Sequence, residues 1–298
     1  MMHNMCPVVD KVRIFVMDCG ISDENKARLV GQAEKFGNAE MIFHDVVPRL
    51  AEVVPKVPNH WNSAIYGRLF LSDLLPLYED MDRLIYLDCD VLMDRPVTEL
   101  LTMPMDGKCI AGVSDSECLM RKRALGIDPE APYINSGVMM IDVKRWNEID
   151  ASARVADFIN TFTMELLYPD QDAINYVLHD EIMIIEPKYN MLWMICERDI
   201  SRMIRLSEDY IYSMEQTYYA LYHGSIYHYA GHNMWSYYGI TPVHSQIMDK
   251  YLALCDWHDE KRRFGGVKNF ILWAMVQTKR ILIGEERLTD RKMKEPAA

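Results

Sequence analysis

The sequence predicts an α/β fold in which a mixed, mainly parallel sheet lies between helices. Strand-like and helix-like patterns alternate along most of the chain, as they do in folds of this class. The run "RLIYL" shows too little alternation to leave one face in water. Half of the 298 residues are hydrophobic, so the chain can bury a substantial core. Sheets of this kind bind ligands at the carboxyl ends of their strands.

The first part of the chain predicts a strand, a helix, a second strand and a second helix. Residues 11–22 are rich in β-branched and aromatic residues up to Gly20, which favours a strand. Cap-type residues then begin a helix, "SDENKARLVGQAEKFG", that ends at Gly37. Residues 39–47 predict the second strand. Residues 62–76 predict a helix that begins with a serine cap and ends at a proline.

The middle of the chain continues the same alternation. Residues 83–93 predict a central strand that is covered on both faces. Two further strands are predicted at 109–115 and 134–143, separated by a polar stretch with glycine and prolines. Helices are predicted at 152–167 and from 171 to 179.

Composition limits the class of protein and its compartment. The 32 Lys and Arg residues against 44 Asp and Glu give a net charge of −12, which disfavours nucleic acid as a partner. The seven cysteines show no C-x-x-C spacing, which indicates a reducing compartment and predicts a cytoplasmic protein. The beginning of the chain has no signal-peptide pattern, and the apolar run at 270–276 is too short to span a bilayer.

The end of the chain differs from the rest in charge. Residues 261–295 contain ten Lys or Arg and four Asp or Glu, a net charge of +6, so the remainder carries −18. We therefore divide the chain into a domain at 1–250 and a basic, helical tail at 251–298. Apolar residues flanked by cations in 259–288 suit a helix in the headgroup region of an anionic membrane. The alternative is a helix packed on the body.

Asp88 and Asp90 follow the predicted central strand. Side chains at positions i and i+2 of an extended chain point the same way, so both carboxylates can bind one divalent cation. Mg²⁺ and Mn²⁺ prefer such oxygen ligands, often together with phosphate oxygens. Two other interpretations use the same motif: a turn at the end of a strand, or a phosphatase in which one aspartate attacks phosphorus.

Four stretches in order identify a resemblance to a known family. "RLIYLDCDVLM", "YINSGVMMIDVKRW", "YPDQDAINYVL" and "HYAGHNMW" resemble glycosyltransferase family 8, over about residues 11–235. The resemblance implies a GT-A (Rossmann-like) fold. Family members begin with a strand such as "IVFASDDNY", whereas this chain starts near the second strand, so we expect the first β-α unit to be lacking.

The resemblance also implies an activity. Members are retaining transferases, so we expect transfer of a hexose from UDP-galactose or UDP-glucose to a saccharide or lipid-linked saccharide, in lipopolysaccharide or other cell-surface glycan synthesis. Asp88, Asp90 and His228 would hold Mn²⁺, with Mg²⁺ as the alternative. The tail would then place the enzyme peripherally on the inner face of the membrane.

Further site residues follow from the same motifs. The carbonyl of Gln171 would stabilise positive charge at the reacting carbon, and Asp172 is the alternative catalytic residue. His232 stands where the family has a phosphate-binding lysine, which puts tight donor binding in doubt. The implied donor-binding residues are Tyr66, Arg68, Asp88, Asn135, Ser136, Gly137, Asp170, Gln171, Gly231 and His232.

Two other functions remain open from the sequence. The chain could be a nucleotide-sugar-binding relic or an accessory subunit without turnover, because the first unit and the lysine are lacking. The D-x-D phosphatase is less favoured, since the later lysine and acidic pair of such enzymes are not found here.

Overall fold

The computed structural model describes residues 1–53, 63–74, 81–115, 118–162, 166–192, 210–230 and 242–257. Strands in these ranges are β1 (Val12–Asp18), β2 (Ala39–Asp45), β3 (Arg83–Leu87), β4 (Val91–Met93), β5 (Ile110–Ser114), β6 (Ile134–Asp142), β7 (Ile182–Ile184), β8 (Met191–Leu192) and β9 (Ile226–His228). The α-helices are α1 (Met2–Met5), α2 (Asp23–Glu34), α3 (Val47–Val53), α4 (Thr98–Thr102), α5 (Cys118–Leu125), α6 (Val143–Glu148), α7 (Ala151–Thr161), α8 (Pro169–Leu178), α9 (Met214–His223) and α10 (Pro242–Leu252). The 3₁₀-helices within the described ranges lie at Ser63–Asp73, His179–Glu181 and Pro187–Tyr189.

The strands form three hydrogen-bonded groups with the orders β1-β2, β3-β6-β5-β7 and β4-β9-β8. This mixed α/β architecture was predicted. The described pairs divide evenly, however: β1-β2, β5-β7 and β8-β9 are parallel, while β3-β6, β5-β6 and β4-β9 are antiparallel. The sheet is therefore less dominated by parallel pairing than the sequence suggested.

The β1-α2-β2 unit forms as its turn residues predict. Asp18 ends β1, and its Oδ1 accepts hydrogen bonds from the backbone N–H groups of Gly20 (2.9 Å) and Ile21 (2.7 Å). Gly20 has φ +107°, a conformation that side chains disfavour. The Ser22 hydroxyl then caps α2 by accepting from Asn25 N.

The long strand β6 is the centre of the four-stranded sheet. Its residues Ile134 to Ile141 are all buried between β3 and β5. Val138 and Met140 face one core cluster, and Met139 and Ile141 face the other, so both faces of the sheet are covered.

β3 differs from the prediction of a central strand. In the described part of the chain it is hydrogen-bonded only to β6, and all five of its residues are half-buried. The apolar run was correctly assigned to a strand, but β3 is an edge strand of its group whose free side faces a cavity. After Leu87 the chain turns, and β4 joins a different sheet with β9.

Three predicted helices are altered in detail. The helix predicted at 152–167 is α7, which ends at Thr161, because Phe162 has extended backbone. The helix predicted at 62–76 is a 3₁₀-helix, Ser63–Asp73, with a kink at Phe70. The helix predicted from 171 begins two residues earlier, at Pro169, where proline suits a first turn.

The predicted division at residue 250 falls inside α10, and the tail beyond Trp257 lies outside the described residues. The division therefore stays a prediction. Within the described ranges, we find no helix that combines the length and apolarity needed to cross a bilayer.

Asn175 of α8 holds the start of β6 in place. Its Oδ1 accepts from Ile134 N (2.7 Å) and its Nδ2 donates to Ile134 O (2.9 Å), next to a register shift between Gly112 and Ser114 of β5. The Asn175 side chain thus satisfies both backbone groups of Ile134, as a neighbouring strand would. This contact positions the segment that follows, residues 135–137.

We expect Asn175→Leu to lower the free energy of unfolding by about 2–4 kcal/mol, because two buried backbone groups lose their partners. Chemical denaturation measures this change. Asn147→Leu, at an exposed position of α6, is the matched control and should change stability by less than about 0.5 kcal/mol. Equal effects of the two substitutions would contradict the role assigned to Asn175.

Candidate metal and donor site

Three side chains that can bind a metal converge at one end of the cavity. One ligand atom from each of Asp88, Asp90 and His228 lies within 4.8 Å of the other two. His228 Nε2 is 3.2 Å from Asp90 Oδ1 and 4.0 Å from Asp88 Oδ2. The two aspartates lie between β3 and β4, and antiparallel pairing of β4 with β9 sets Val91 opposite His228. Strand pairing thus brings together the set that the motifs implied.

Gly137 makes room for this convergence. A Cβ atom at this position would lie 2.2 Å from His228 Cε1, 2.8 Å from Asp88 Oδ2 and 2.9 Å from His228 Nε2. Any side chain at residue 137 would therefore displace the imidazole from the carboxylates. The glycine also binds Asp88 through its backbone, since its carbonyl accepts from Asp88 N at 2.8 Å.

A chain of hydrogen bonds fixes the tautomer of His228. The backbone N–H of Gly137 can only donate, so Asn135 presents Oδ1 to it (3.1 Å). The same oxygen accepts from Asn190 Nδ2 (2.9 Å), which turns Asn190 Oδ1 towards His228 Nδ1 (3.0 Å). In the neutral imidazole Nδ1 therefore carries the proton, and the lone pair of Nε2 faces Asp88 and Asp90. Three lone pairs that face each other are unfavourable unless a cation lies between them.

Arg68 and Tyr86 orient Asp88. Arg68 Nη2 and the Tyr86 hydroxyl both donate to Asp88 Oδ1 at 2.8 Å, which leaves Oδ2 on the side of His228. Arg68 is 6% exposed; its Nη1 donates to Ser136 and its Nε lies 3.0 Å from Asp170 Oδ2. Arg68 therefore positions the carboxylates. It also lines the cavity, and its expected contact with the nucleotide-sugar stays a prediction.

The charge balance near the cluster is negative. Burial raises the pKa of Asp90, but the hydrogen bond and charge that the imidazolium form of His228 supplies outweigh burial and lower that pKa overall. Burial raises the pKa of Asp170, and the charge of Arg68 offsets this only in part. Four carboxylates line this part of the cavity beside the buried Arg68; they belong to Asp88, Asp90, Asp115 and Asp170. A divalent cation would offset the excess negative charge.

Amide and carboxylate groups form the adjoining wall of the cavity. Gln171 Oε1 accepts from Ser136 N and Asn135 Nδ2, both at 3.1 Å, so its Nε2 points to Asp115 Oδ2 (3.2 Å). Asn135 Nδ2 also lies 3.3 Å from the same Asp115 oxygen. The site therefore presents a fixed pattern of donors and acceptors, which suits recognition of hydroxyl groups.

Asp172 lies behind this wall. It is fully buried, is paired with Arg121, and accepts hydrogen bonds from the Tyr133 hydroxyl (2.6 Å) and Tyr168 N (3.0 Å). It does not line the cavity, whereas Gln171 does. The geometry favours a structural role for Asp172 and leaves Gln171 as the candidate near the reacting atoms.

The other predicted residues are distributed as follows. Asn135, Ser136, Gly137, Asp170 and Gln171 line the cavity together with Arg68 and Asp88. Tyr66 is 2% exposed, packs in the core and does not line the cavity, and burial followed by the charge of Asp170 raises its pKa to about 12. It supports the 3₁₀-helix in this structure. Gly231 and His232 lie outside the described residues.

Three residues of the site were not found from the sequence. Asp115 follows β5 directly, so a carboxylate at the end of an apolar strand was an available signal. Asn190 and Arg121 gave no such signal, because each acts through a neighbour. Asn190 fixes the tautomer of His228, and Arg121 neutralises Asp172.

Solved structures share this fold. The chain aligns with an active-site mutant of LgtC at a TM-score of 0.64 and 20% identity, covering 82% of this chain and 85% of that one. The bifunctional glycosyltransferase WbbM aligns at a TM-score of 0.65 and 18% identity, covering 84% of this chain and 46% of that one. The fold is therefore the GT-A fold of glycosyltransferases.

Sequence comparison gives the family. The family described as "Glycosyl transferase family 8" matches residues 2–236, and the chain belongs to this family. General stress protein A of Bacillus subtilis is 31% identical over 182 residues, 60% of this chain and 63% of that protein. A lipopolysaccharide 1,2-glucosyltransferase of Escherichia coli is 33% identical over 138 residues, 45% of this chain and 40% of that enzyme. The chain thus spans less than two thirds of the length of either relative.

Gly137→Ala should weaken Mn²⁺ binding at least tenfold, because the added methyl group pushes His228 away from the carboxylates. Free Mn²⁺ measured by electron paramagnetic resonance gives the affinity. Gly31→Ala is the control: it makes the same substitution within α2, where a Cβ meets nothing within 4 Å, and should leave the affinity unchanged. An unaltered Kd in the Gly137 variant would show that the ion binds elsewhere.

Proposed function

We propose that this chain is a retaining hexosyltransferase that moves galactose or glucose from a UDP-sugar to a saccharide acceptor. Mn²⁺ held by Asp88, Asp90 and His228 would be its metal, with Mg²⁺ as a substitute. The membership in family 8 supports transferase chemistry, and the names of relatives in lipopolysaccharide synthesis support a cell-surface glycan as product. The UDP-sugar donor, the Mn²⁺ ion and the retention of configuration are all part of what we propose.

One observation carries this proposal. His228 Nε2 and two carboxylates converge beside Gly137, where any side chain would collide with His228 and Asp88. Imidazole nitrogen and carboxylate oxygens are ligands that suit Mn²⁺. When bound, the ion would neutralise charge that develops on the departing diphosphate.

The residues around the cluster have distinct tasks. Arg68 and Tyr86 hold Asp88 so that only its Oδ2 faces the cluster, and Asn190 holds the imidazole. These groups are set before a substrate arrives, so little free energy is spent in ordering them. They are positioning residues, since none of these contacts requires a substrate.

The donor sugar would lie against Asp115, Asn135 and Gln171. Their side chains fix one another, so a hydroxyl group in the wrong position would leave a buried polar group without a partner. Gln171 faces the cavity and remains the proposed residue at the reacting carbon. The acceptor hydroxyl would enter from the face that UDP leaves, which retains the configuration at that carbon.

Replacement of Asp88 and Asp90 by Asn should reduce Mn²⁺-dependent release of UDP from UDP-galactose and UDP-glucose at least 100-fold, since both anionic ligands are lost. A coupled assay for UDP measures the rate. Asp106→Asn is the matched control, because Asp106 is exposed, lies outside the cavity and has φ +49°, a conformation that Asn tolerates.

The same assay separates the competing functions. If the unaltered chain binds a UDP-sugar but releases UDP no faster than a reaction without protein, a binding relic or accessory subunit is favoured. Hydrolysis of p-nitrophenyl phosphate with Mg²⁺ and without a sugar nucleotide would favour the phosphatase.

We also propose that the basic tail brings the enzyme to the cytoplasmic face of a membrane. The net charge of +6 over residues 261–295 and the apolar residues among them support this, although 258–298 lie outside the described residues. A lipid-linked saccharide acceptor would then be within reach of the site.

The full chain should co-sediment with vesicles that contain anionic lipid and remain in solution with neutral vesicles. Substitution of Lys261, Arg262 and Arg263 by Gln should weaken this binding by about 3 kcal/mol at low salt, at about 1 kcal/mol per charge. Substitution of the same number of lysines on the acidic body, Lys11, Lys108 and Lys144, provides the control. Failure of the full chain to co-sediment with anionic vesicles would support the packed helix instead.

A further inference from the structure

The hydroxyl group of Tyr133 lies directly behind the cavity wall. Tyr133 is 1% exposed and does not line the cavity, so its side chain is set back from any bound substrate. Its hydroxyl donates to Asp172 Oδ1 at 2.6 Å, and the same oxygen accepts from Gln171 Nε2 at 3.4 Å. Gln171 does line the cavity. Tyr133 therefore connects a buried carboxylate to the amide that faces the site.

Charge fixes the direction of these hydrogen bonds. Asp172 is paired with Arg121, whose Nε donates to Asp172 Oδ1 at 3.1 Å, and a carboxylate can only accept. The single proton of the Tyr133 hydroxyl must therefore point to Asp172. Burial and the charge of Asp172 raise the pKa of this hydroxyl, so it keeps its proton. Towards Gln171 the Tyr133 oxygen can then only accept.

Two further groups impose the same orientation on the Gln171 amide. The backbone N–H of Ser136 can only donate, and it donates to Gln171 Oε1 at 3.1 Å. On the other side Asp115 Oδ2 accepts from Gln171 Nε2 at 3.2 Å. A reversed amide would set its oxygen against the oxygens of Asp115 and Tyr133, and its NH₂ group against the N–H of Ser136. Such contacts between like groups are unfavourable in a buried site.

The main chain of Tyr133 positions another partner of this amide. Its carbonyl oxygen accepts from Asp115 N at 3.1 Å, where β5 ends and its pairing with β6 is shifted. The next residue, Ile134, is held at both backbone groups by Asn175. Residue 133 thus binds Asp115 through its main chain and Gln171 through its side chain. It therefore sets both acceptor atoms around the Gln171 NH₂ group.

We propose that Tyr133 is a positioning residue of the site: bound to the Arg121–Asp172 ion pair, it holds the Gln171 amide in one orientation. This role rests on the proposed function, in which the carbonyl of Gln171 stabilises positive charge at the reacting carbon. The stabilisation requires the negative end of the amide dipole to keep its direction, because an NH₂ group in its place would repel the same charge. The Tyr133 hydroxyl would thereby affect the chemical step more than substrate binding.

The orientation can be measured by NMR on the full chain labelled with ¹⁵N-glutamine, without nucleotide or metal. The side-chain signal of Gln171 is identified by its loss in Gln171→Glu. In Tyr133→Phe the Nε2 group loses one acceptor, so we expect its protons to exchange with water about tenfold faster. Tyr210→Phe is the matched control. It removes a buried hydroxyl that accepts from Thr217 Oγ1 at 2.9 Å and should leave the Gln171 signal unchanged.

The rate of UDP release tests the effect on the chemical step. Tyr133→Phe should lower kcat about tenfold and change the KM for the UDP-sugar less than about twofold, since an interaction that acts in the transition state changes kcat. In a Gln171→Ala background the same substitution should have no further effect on kcat, because Tyr133 acts through Gln171. The affinity for Mn²⁺ should be the same in all four chains.

Unchanged exchange of the Gln171 side chain in Tyr133→Phe would overturn the proposal. Equal losses of kcat in the two backgrounds would also overturn it, because they would show a general structural effect. If Tyr133→Phe does not fold, 3-fluorotyrosine at position 133 takes its place. This residue keeps the hydroxyl but makes its oxygen a weaker acceptor, so exchange should again become faster, and an unaltered rate would contradict the role.

The exchange measurement does not depend on transferase activity. Faster exchange in a chain that releases no UDP would confirm that Tyr133 orients Gln171, while the proposed function would fail. Full activity with unaltered exchange would leave the proposed function standing and overturn the role of Tyr133.

Discussion

The missing side chain at Gly137 is the constraint on which the site depends. One backbone position contacts Asp88 through its carbonyl, orients Asn135 through its N–H, and leaves the volume into which His228 and Asp88 project. Because Asn135 then orients Asn190, the backbone of β6 decides which nitrogen of the neutral His228 ring carries the proton. The orientation of the cluster is therefore fixed by the main chain of β6, in which every residue from Ile134 to Ile141 is buried.

Buried ion pairs attach this strand to the helices around it. Arg68 of the 3₁₀-helix contacts Asp88 after β3, Ser136 of β6 and Asp170 of α8. Arg121 of α5 pairs with Asp172 of the same helix α8. Ion pairs of this kind contribute little net stability, since desolvation offsets their attraction, but loss of one partner is costly. Their effect here is geometric: they hold the start of α8, which carries Gln171, against Asn135 of β6.

The site lies between two groups of strands that no described strand joins. The chain just after β1, with Cys19 and Gly20, forms one side of the cavity, and the cluster after β3 forms the other. The 3₁₀-helix Ser63–Asp73 contacts both sides, since a Cβ on Gly67 would lie 3.4 Å from Cys19 Sγ and Arg68 binds Asp88.

The sequence by itself determined the family, the order of the principal strands and helices, and the set Asp88, Asp90 and His228, because these are encoded in short motifs and local periodicity. It could not determine that β3 is an edge strand, that Tyr66 packs in the core, or that Arg68 and Asp172 serve buried ion pairs. It also missed Asp115 and Asn190. These properties depend on which elements pack together, and packing brings residues into contact that no local pattern relates. The catalytic, donor-binding and metal-binding roles of all the predicted site residues stay predictions, and Gly231 and His232 also lie outside the described residues.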